Sequence, residues 1–154
     1  MLPFFTFAYD DDTTHPALTQ EIIKLFNSEF KSLKLSDTDA EQIIQGSIDE
    51  DLETRWMQHF YDPVYNRGLT ILGQEWMTSK EWSQNTLAQA GLNGFLAGTL
   101  TSFFSDEDDY SWDRAIYEYA WGDKKRGLLA LGHVLHLIED TSVPDHTRNE
   151  TQKI

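Results

Sequence analysis

His136 and Asp140 stand four residues apart in the run Gly132-His133-Val134-Leu135-His136-Leu137-Ile138-Glu139-Asp140, and Pro144-Asp145-His146 follows. At helical spacing His136 and Asp140 lie on one face, one turn apart. Pro144 then stops the helix just before His146. Two imidazoles and a carboxylate on a helix and its exit can bind a metal such as zinc. A plain His–Asp hydrogen bond, or an Asp140 exposed at the helix end, accounts better for the pair taken alone.

Other histidines widen the set. His59 sits in Trp56-Met57-Gln58-His59-Phe60-Tyr61-Asp62-Pro63, Asp51 lies eight residues before it, and His15 directly precedes Pro16. Each is weak by itself, because a lone histidine beside aromatics is more often packed or exposed than a ligand. The chain has no cysteine, so disulfides and a thiolate zinc site are both excluded. Any metal must be held by His and Asp/Glu.

The formal charge is -14 over 154 residues. Long-range attraction to nucleic-acid phosphates is therefore not expected from the chain itself, although bound dications would reverse the sign locally. The acidic surface reads first as a solubility feature. No apolar run is long enough to span a bilayer. The length suits one domain, and the apolar and aromatic content argues against disorder.

The elements that must position these residues read as helices. Leu18, Ile22, Ile23, Phe26, Phe30 and Leu33 form a stripe of helical period over 17–34, with Pro16 in the first turn. Ser36 and Asp39 resemble a capping box for a second helix carrying Ala40, Ile43 and Ile44, which Gly46 interrupts or ends. Asp62-Pro63 and Asn66-Arg67-Gly68 are turn signals. Ser79 is placed to cap a helix with Trp82 and Leu87, followed past Gly91 and Gly94 by Phe95, Leu96, Leu100, Phe103 and Phe104. Ser105 to Asp109 is an acidic connector that lacks the glycine and ligand spacing of an EF-hand loop. Ser111 and Asp123 are placed to cap the last two helices, the final one running from Lys124 to about Asp140. That helix is apolar almost all round, hence central, and a carboxylate within it needs a partner. No strand alternation is sustained. The expectation is an all-α, compact bundle of five to seven helices.

Together these segments resemble the zinc-dependent phospholipase C and P1 nuclease superfamily. The resemblance rests on Gly132…His136…Asp140…Pro144-Asp145-His146 with Asn149 after it, on His59-Phe60-Tyr61-Asp62-Pro63, on Gly46 with Asp51, and on His15. It covers about residues 13–150, and His59 to Pro63 is closest to the bacterial phospholipase C form. It implies a trinuclear zinc site within a multi-helix bundle. Asp51, His59, His136 and Asp140 would surround one zinc, and Asp140 would bridge to a second that His15 and a processed N-terminus also hold. His146 would be the first ligand of a third, and Asp51 the candidate general base. His133 matches no family position and reads as packed or exposed. The implied activity is hydrolysis of a phosphodiester, most simply a phospholipid head group, by metal-activated water. A P1-like single-strand nuclease or nucleotidase, and a non-catalytic helical domain with a residual metal site, are the alternatives. The partners implied are a phospholipid or nucleotide-type substrate and peripheral contact with a membrane surface.

The sequence departs from the family in three ways. The family completes its third zinc with a later His and a Glu one turn beyond it, yet no histidine follows His146. The ligand set is therefore incomplete, and a C-terminal part of the domain is expected to be missing. At the other end, residues 1–12 read as an irregular start or the remnant of a signal segment, so that cleavage after Ala8 would expose Tyr9 and the protein would be secreted or extracytoplasmic. Finally, Trp56 is a candidate contact for a quaternary ammonium, but Leu52, beside Asp51, is not aromatic, which weakens a choline cage.

Overall fold

The computed structural model describes residues 11–52, 55–71, 73–90 and 108–148. Its α-helices are α1 (Asp11–Glu29), α2 (Asp37–Asp49), α3 (Ser79–Trp82), α4 (Trp112–Trp121), α5 (Lys124–Asp140) and α6 (Pro144–Thr147). Residues 86–90 are also helical, and Lys31–Leu33 and Arg55–Gln58 form 3-10 turns. The all-α expectation holds. The one described sheet is a hairpin of two-residue strands, β1 (Thr70–Ile71) and β2 (Gln74–Glu75), in which Thr70 opposes Glu75. Gly73 turns it with φ +78°, a region that glycine enters freely. No helix among the described residues is long and apolar enough to cross a membrane.

α5 is central, packed against α1, α2 and α4. Ile23, Ile43 and Leu128 form the buried apolar centre, one from each of α1, α2 and α5, with Leu35, Ile44, Leu131 and Leu135 packed around it. Each such side chain contributes about 1.5–3 kcal/mol by leaving water. Three of the expected caps form. Ser36 Oγ accepts from Asp39 N–H while Asp39 closes the capping box, Ser111 accepts from Arg114 N–H, and Asp123 accepts from Lys125 N–H.

Glycines set the closest approach in the bundle. Gly46 does not end α2; it lies buried within it, directly against α5. A Cβ at Gly46 would overlap the Leu129 carbonyl, and one at Gly132 would overlap the Ile43 carbonyl and crowd Ser47 N at 2.8 Å. The two helices therefore cross backbone to backbone. That crossing brings the last turn of α2 up to His136 and Asp140.

Other boundaries differ from expectation. α1 starts at Asp11, so Pro16 lies inside it at the cost of one early intrahelical bond, and Asp11 and Asp12 are helical rather than irregular. α1 stops at Glu29 rather than continuing to residue 34. Asn27 holds the returning chain by accepting from Leu35 N–H at 2.8 Å and donating to Leu35 O at 3.2 Å. Phe30 and Leu33 therefore leave the helix and are exposed, and of the apolar stripe only Ile23 is buried. Ile22 and Phe26 instead line an apolar groove of about 430 Å³ with Trp112, Ile116, Leu131 and Leu135. Thr78 rather than Ser79 caps α3, through a capping box with Glu81, and Leu87 belongs to the separate 86–90 stretch. The readings of Gly91, Gly94 and Phe95 to Phe104, most of the acidic connector, Ala8-Tyr9 and Asn149 fall outside the described residues.

Candidate metal centre

Asp140 is the hub. It is fully buried at the C-terminal end of α5, and four imidazoles converge on its carboxylate. His59 Nδ1 and His136 Nε2 approach Oδ2 at 3.0 and 3.4 Å. His146 Nδ1 and His15 Nε2 approach Oδ1 at 2.8 and 3.3 Å. Among the described residues, neither carboxylate oxygen has a hydrogen-bond partner, and neither do buried His59 Nε2, His136 Nε2 and His146 Nδ1. A buried carboxylate ringed by four imidazoles is costly unless protons or a cation lie between them.

The spacing fits an ion. Ligand atoms held tetrahedrally at 2.0–2.1 Å from a metal stand roughly 3.3 Å apart. Asp51 Oδ1 lies 3.5 Å from His59 Nδ1 and 3.4 Å from His136 Nε2. With Asp140 Oδ2 these atoms trace four edges of such a tetrahedron, between 3.0 and 3.5 Å long. Asp51, His59 and His136 form one group able to hold a metal ion, and His15, His136 and Asp140 form another. His136 has a single inward nitrogen, so it serves one ion at a time. His15 and His146 share Oδ1, on the other side of the carboxylate.

Each of these side chains is positioned by an identifiable local cause. His15 is on α1, one turn before Thr19. Asp51 follows α2 and stays partly exposed, unlike the rest of the set. His59 follows the 3-10 turn, and the next two residues anchor it: Phe60 O accepts from Ser79 N–H at 3.0 Å, and Tyr61 N–H donates to His146 O at 3.0 Å. The His146 ring meets Phe60 edge-on at 4.8 Å. Pro144 starts α6 and turns the chain so that His146 faces back toward Asp140. The downstream turn closes as its residues suggest, with Asp62 Oδ1 accepting from Val64 and Tyr65 N–H and Asn66 at φ 50°.

The outer nitrogens are also engaged. His136 Nδ1 lies 2.7 Å from the Ser47 carbonyl, which fixes Nδ1 as the donor and leaves Nε2 free for a metal. His15 Nδ1 lies 2.9 Å from Glu139 Oε2, so its Nε2 likewise points at Asp140. Behind His59, buried Glu50 lies 3.8 Å from Nε2. Glu50 is bound by Arg55 at 2.7 Å, Trp82 Nε1 at 3.0 Å and His133 Nδ1 at 2.6 Å. His133 is therefore packed, and its ring stacks on Tyr110 at 3.9 Å.

The buried carboxylates and imidazoles shift one another. Burial opposes ionisation of Glu50, but Arg55 and His133 hold its carboxyl at about 2. Burial likewise opposes ionisation of Asp140, yet the surrounding imidazoles drive its carboxyl far below the ordinary range. Burial disfavours an imidazolium at His15, but Asp140 and Glu139 outweigh it and raise the pKa to about 9. At His136 burial is outweighed by Asp140 and Asp51, which raise it to about 10. His133 moves the other way, because burial exceeds the pull of Glu50. The His15 and His136 rings stack at 3.8 Å, so in the metal-free chain two imidazoles favouring the cation face each other. Ions held between these nitrogens and Asp140 would keep both rings neutral.

The structure thus brings together His15, Asp51, His59, His136, Asp140 and His146. Trp56 lies three residues before His59 and is 40% exposed, so it is not a core side chain. Glu50, Glu139, Thr19 and Ser47 are the parts that the sequence reading missed. Glu139 carried a signal, since a carboxylate beside Asp140 in a nearly all-apolar helix needs a partner too. The Ser47 contribution is a carbonyl and leaves no mark in the sequence. No family model, curated protein or solved structure matches the chain.

Proposed function

We propose that this chain is a zinc-dependent phosphodiesterase of the phospholipase C and P1 nuclease kind, acting on phospholipid head groups. The observation that carries the reading is the near-tetrahedral set of Asp51, His59, His136 and Asp140 Oδ2, backed by His15 and His146 on Oδ1. Neutral imidazole and carboxylate donors without thiolate suit zinc. Asp51, His59, His136 and Asp140 would hold one ion, and His15 with Asp140 a second; His146, which the resemblance puts on a third zinc, lies 2.8 Å from Asp140 Oδ1 and would join the second. Zinc there would acidify a water and offset charge developing on a phosphoryl oxygen.

The chain's own residues would divide the remaining work. Asp51 is the one carboxylate of the set with substantial access to solvent, its side chain 29% exposed, so it stands where a substrate and a water enter. From there it can orient the water and take its proton. His15, His59, His136 and Asp140 are buried and would hold the ions rather than exchange protons with solvent. Exposed Trp56, just before His59, offers an aromatic face to a cationic head group.

The test is turnover of zinc-loaded protein on phosphatidylcholine and on single-stranded DNA, for the wild type and Asp51→Asn. Cleavage of the lipid alone, falling about 10²–10⁴-fold in the variant, is expected. Cleavage of DNA alone would reassign the substrate. Zinc binding without turnover of either would reduce the site to a structural one. An Asp51→Asn protein with full activity would remove Asp51 from the base role.

A further inference from the structure

We propose that Glu139 is a positioning residue that specifies the His15 side of the centre, acting through a hydrogen-bonded chain with Thr19 and Ser47. The proposal rests on the metal-binding reading above and adds residues that do not touch the ions.

Glu139 and Asp140 are adjacent on α5 but serve different atoms. Asp140 meets the inward nitrogens of the imidazoles, whereas Glu139 Oε2 meets the outward Nδ1 of His15 at 2.9 Å. The other oxygen, Oε1, accepts from the Thr19 hydroxyl at 2.8 Å. Thr19 Oγ1 also lies 3.0 Å from Ser47 Oγ. A hydroxyl has one proton. The Thr19 hydroxyl is placed to donate to either Glu139 Oε1 or Ser47 Oγ, and the carboxylate is the stronger acceptor of the two. Ser47 is also the residue whose carbonyl takes His136 Nδ1 at 2.7 Å. One connected path, all of it buried, therefore runs from Glu139 through Thr19 to Ser47 and reaches the outer nitrogens of both stacked histidines.

The chemistry follows from the tautomer. A neutral imidazole carries one N–H, and the ring nitrogen without it is the ligand. A carboxylate on Nδ1 places the proton there, leaves Nε2 as the lone-pair donor and raises its basicity. Serine's carbonyl does the same for His136 without a charge. The two sides thus differ: the His15 side has a carboxylate behind its ligand, and the His136 ligand has a neutral acceptor. Thr19 fixes the carboxylate rotamer that makes this possible, since it occupies the oxygen that His15 does not use. A full negative charge behind His15 favours a dication on that side.

Chelator-stripped wild type, Glu139→Gln, Glu139→Leu, Thr19→Val and His15→Ala would be titrated with Co²⁺, following binding isotherms and the visible absorption of the bound ion. The His15 tautomer would be read by ¹⁵N NMR of the ring. The wild type is expected to bind two ions with the His15 proton on Nδ1. Glu139→Leu should weaken one ion about 10–100-fold, the same one that His15→Ala loses, and leave the other unchanged. Glu139→Gln, which keeps an acceptor but not the charge, should fall between, and Thr19→Val should weaken the same ion less. General loss of stability would not select one ion. Wild-type affinity for both ions in both Glu139 variants, or equal weakening of both, would overturn the proposal. A wild type that binds no Co²⁺ would overturn this proposal and the metal reading together.

Discussion

The Ser47 carbonyl lies 2.7 Å from His136 Nδ1, across the point where α2 meets α5. That one contact joins the fold to the site. It exists because Gly46 and Gly132 let the two backbones touch, and it fixes which nitrogen of His136 faces Asp140 and Asp51.

Gly132→Ala tests this coupling. The added Cβ would overlap the Ile43 carbonyl and meet Ser47 N at 2.8 Å and Gly46 Cα at 2.9 Å, all of it backbone that cannot step aside alone. Destabilisation of about 2–3 kcal/mol is expected, with weaker zinc binding in whatever protein remains folded. The urea midpoint, with an unchanged slope, measures the first, and a zinc titration the second. A variant as stable as the wild type would show that the crossing is not tight.

Protonation should set metal affinity. In the metal-free chain His15 and His136 have pKa values raised to about 9 and about 10, above the unfolded value of about 6.5. Their contribution to metal-free stability is therefore complete below pH about 6.5 and is lost as pH rises through about 9 to 10. Zinc must displace those same protons, so its binding strengthens as pH rises from 6 to 8. Melting in chelator and in zinc across that range should show a zinc-induced shift that grows with pH, and calorimetry in two buffers should show proton release. A shift that is flat with pH would contradict the assigned ligands.

Trp56→Ala addresses the substrate. A cation–π contact at an exposed site is worth about 0.5–1 kcal/mol, so the KM for a choline lipid should rise about 2–5-fold with kcat little changed. Equal effects on a lipid without a quaternary ammonium would assign Trp56 to general lipid contact instead.

Helix identities were legible where local chemistry decides them. Ser36, Ser111 and Asp123 each cap the helix that their side chains suggested. His136 and Asp140 stood out because an imidazole and a carboxylate one turn apart in an apolar helix need partners, whereas His15, Asp51, His59 and His146 joined them only through the family resemblance. What could not be read was set by contacts distant in sequence. Asn27 ends α1 early by holding Leu35, and Gly46, still helical, lies backbone to backbone against Leu129 and Gly132. Glu139 faces His15 across 124 residues, and Glu50 accepts from Trp82 Nε1 and pairs with His133 Nδ1 across 32 and 83 residues. Exposure of the α1 stripe also depended on where α4 and α5 stand, which periodicity alone does not fix.

The most direct test of the central claim is zinc content after chelator stripping and reconstitution, comparing the wild type with Asp140→Asn. In the proposed arrangement Asp140 is the side chain that both ions would share, with His59 and His136 near Oδ2 and His15 and His146 near Oδ1. Two zinc ions per wild-type chain and none retained by Asp140→Asn are predicted. A wild type that binds no zinc, or an Asp140→Asn chain that binds as much as the wild type, would contradict the assignment.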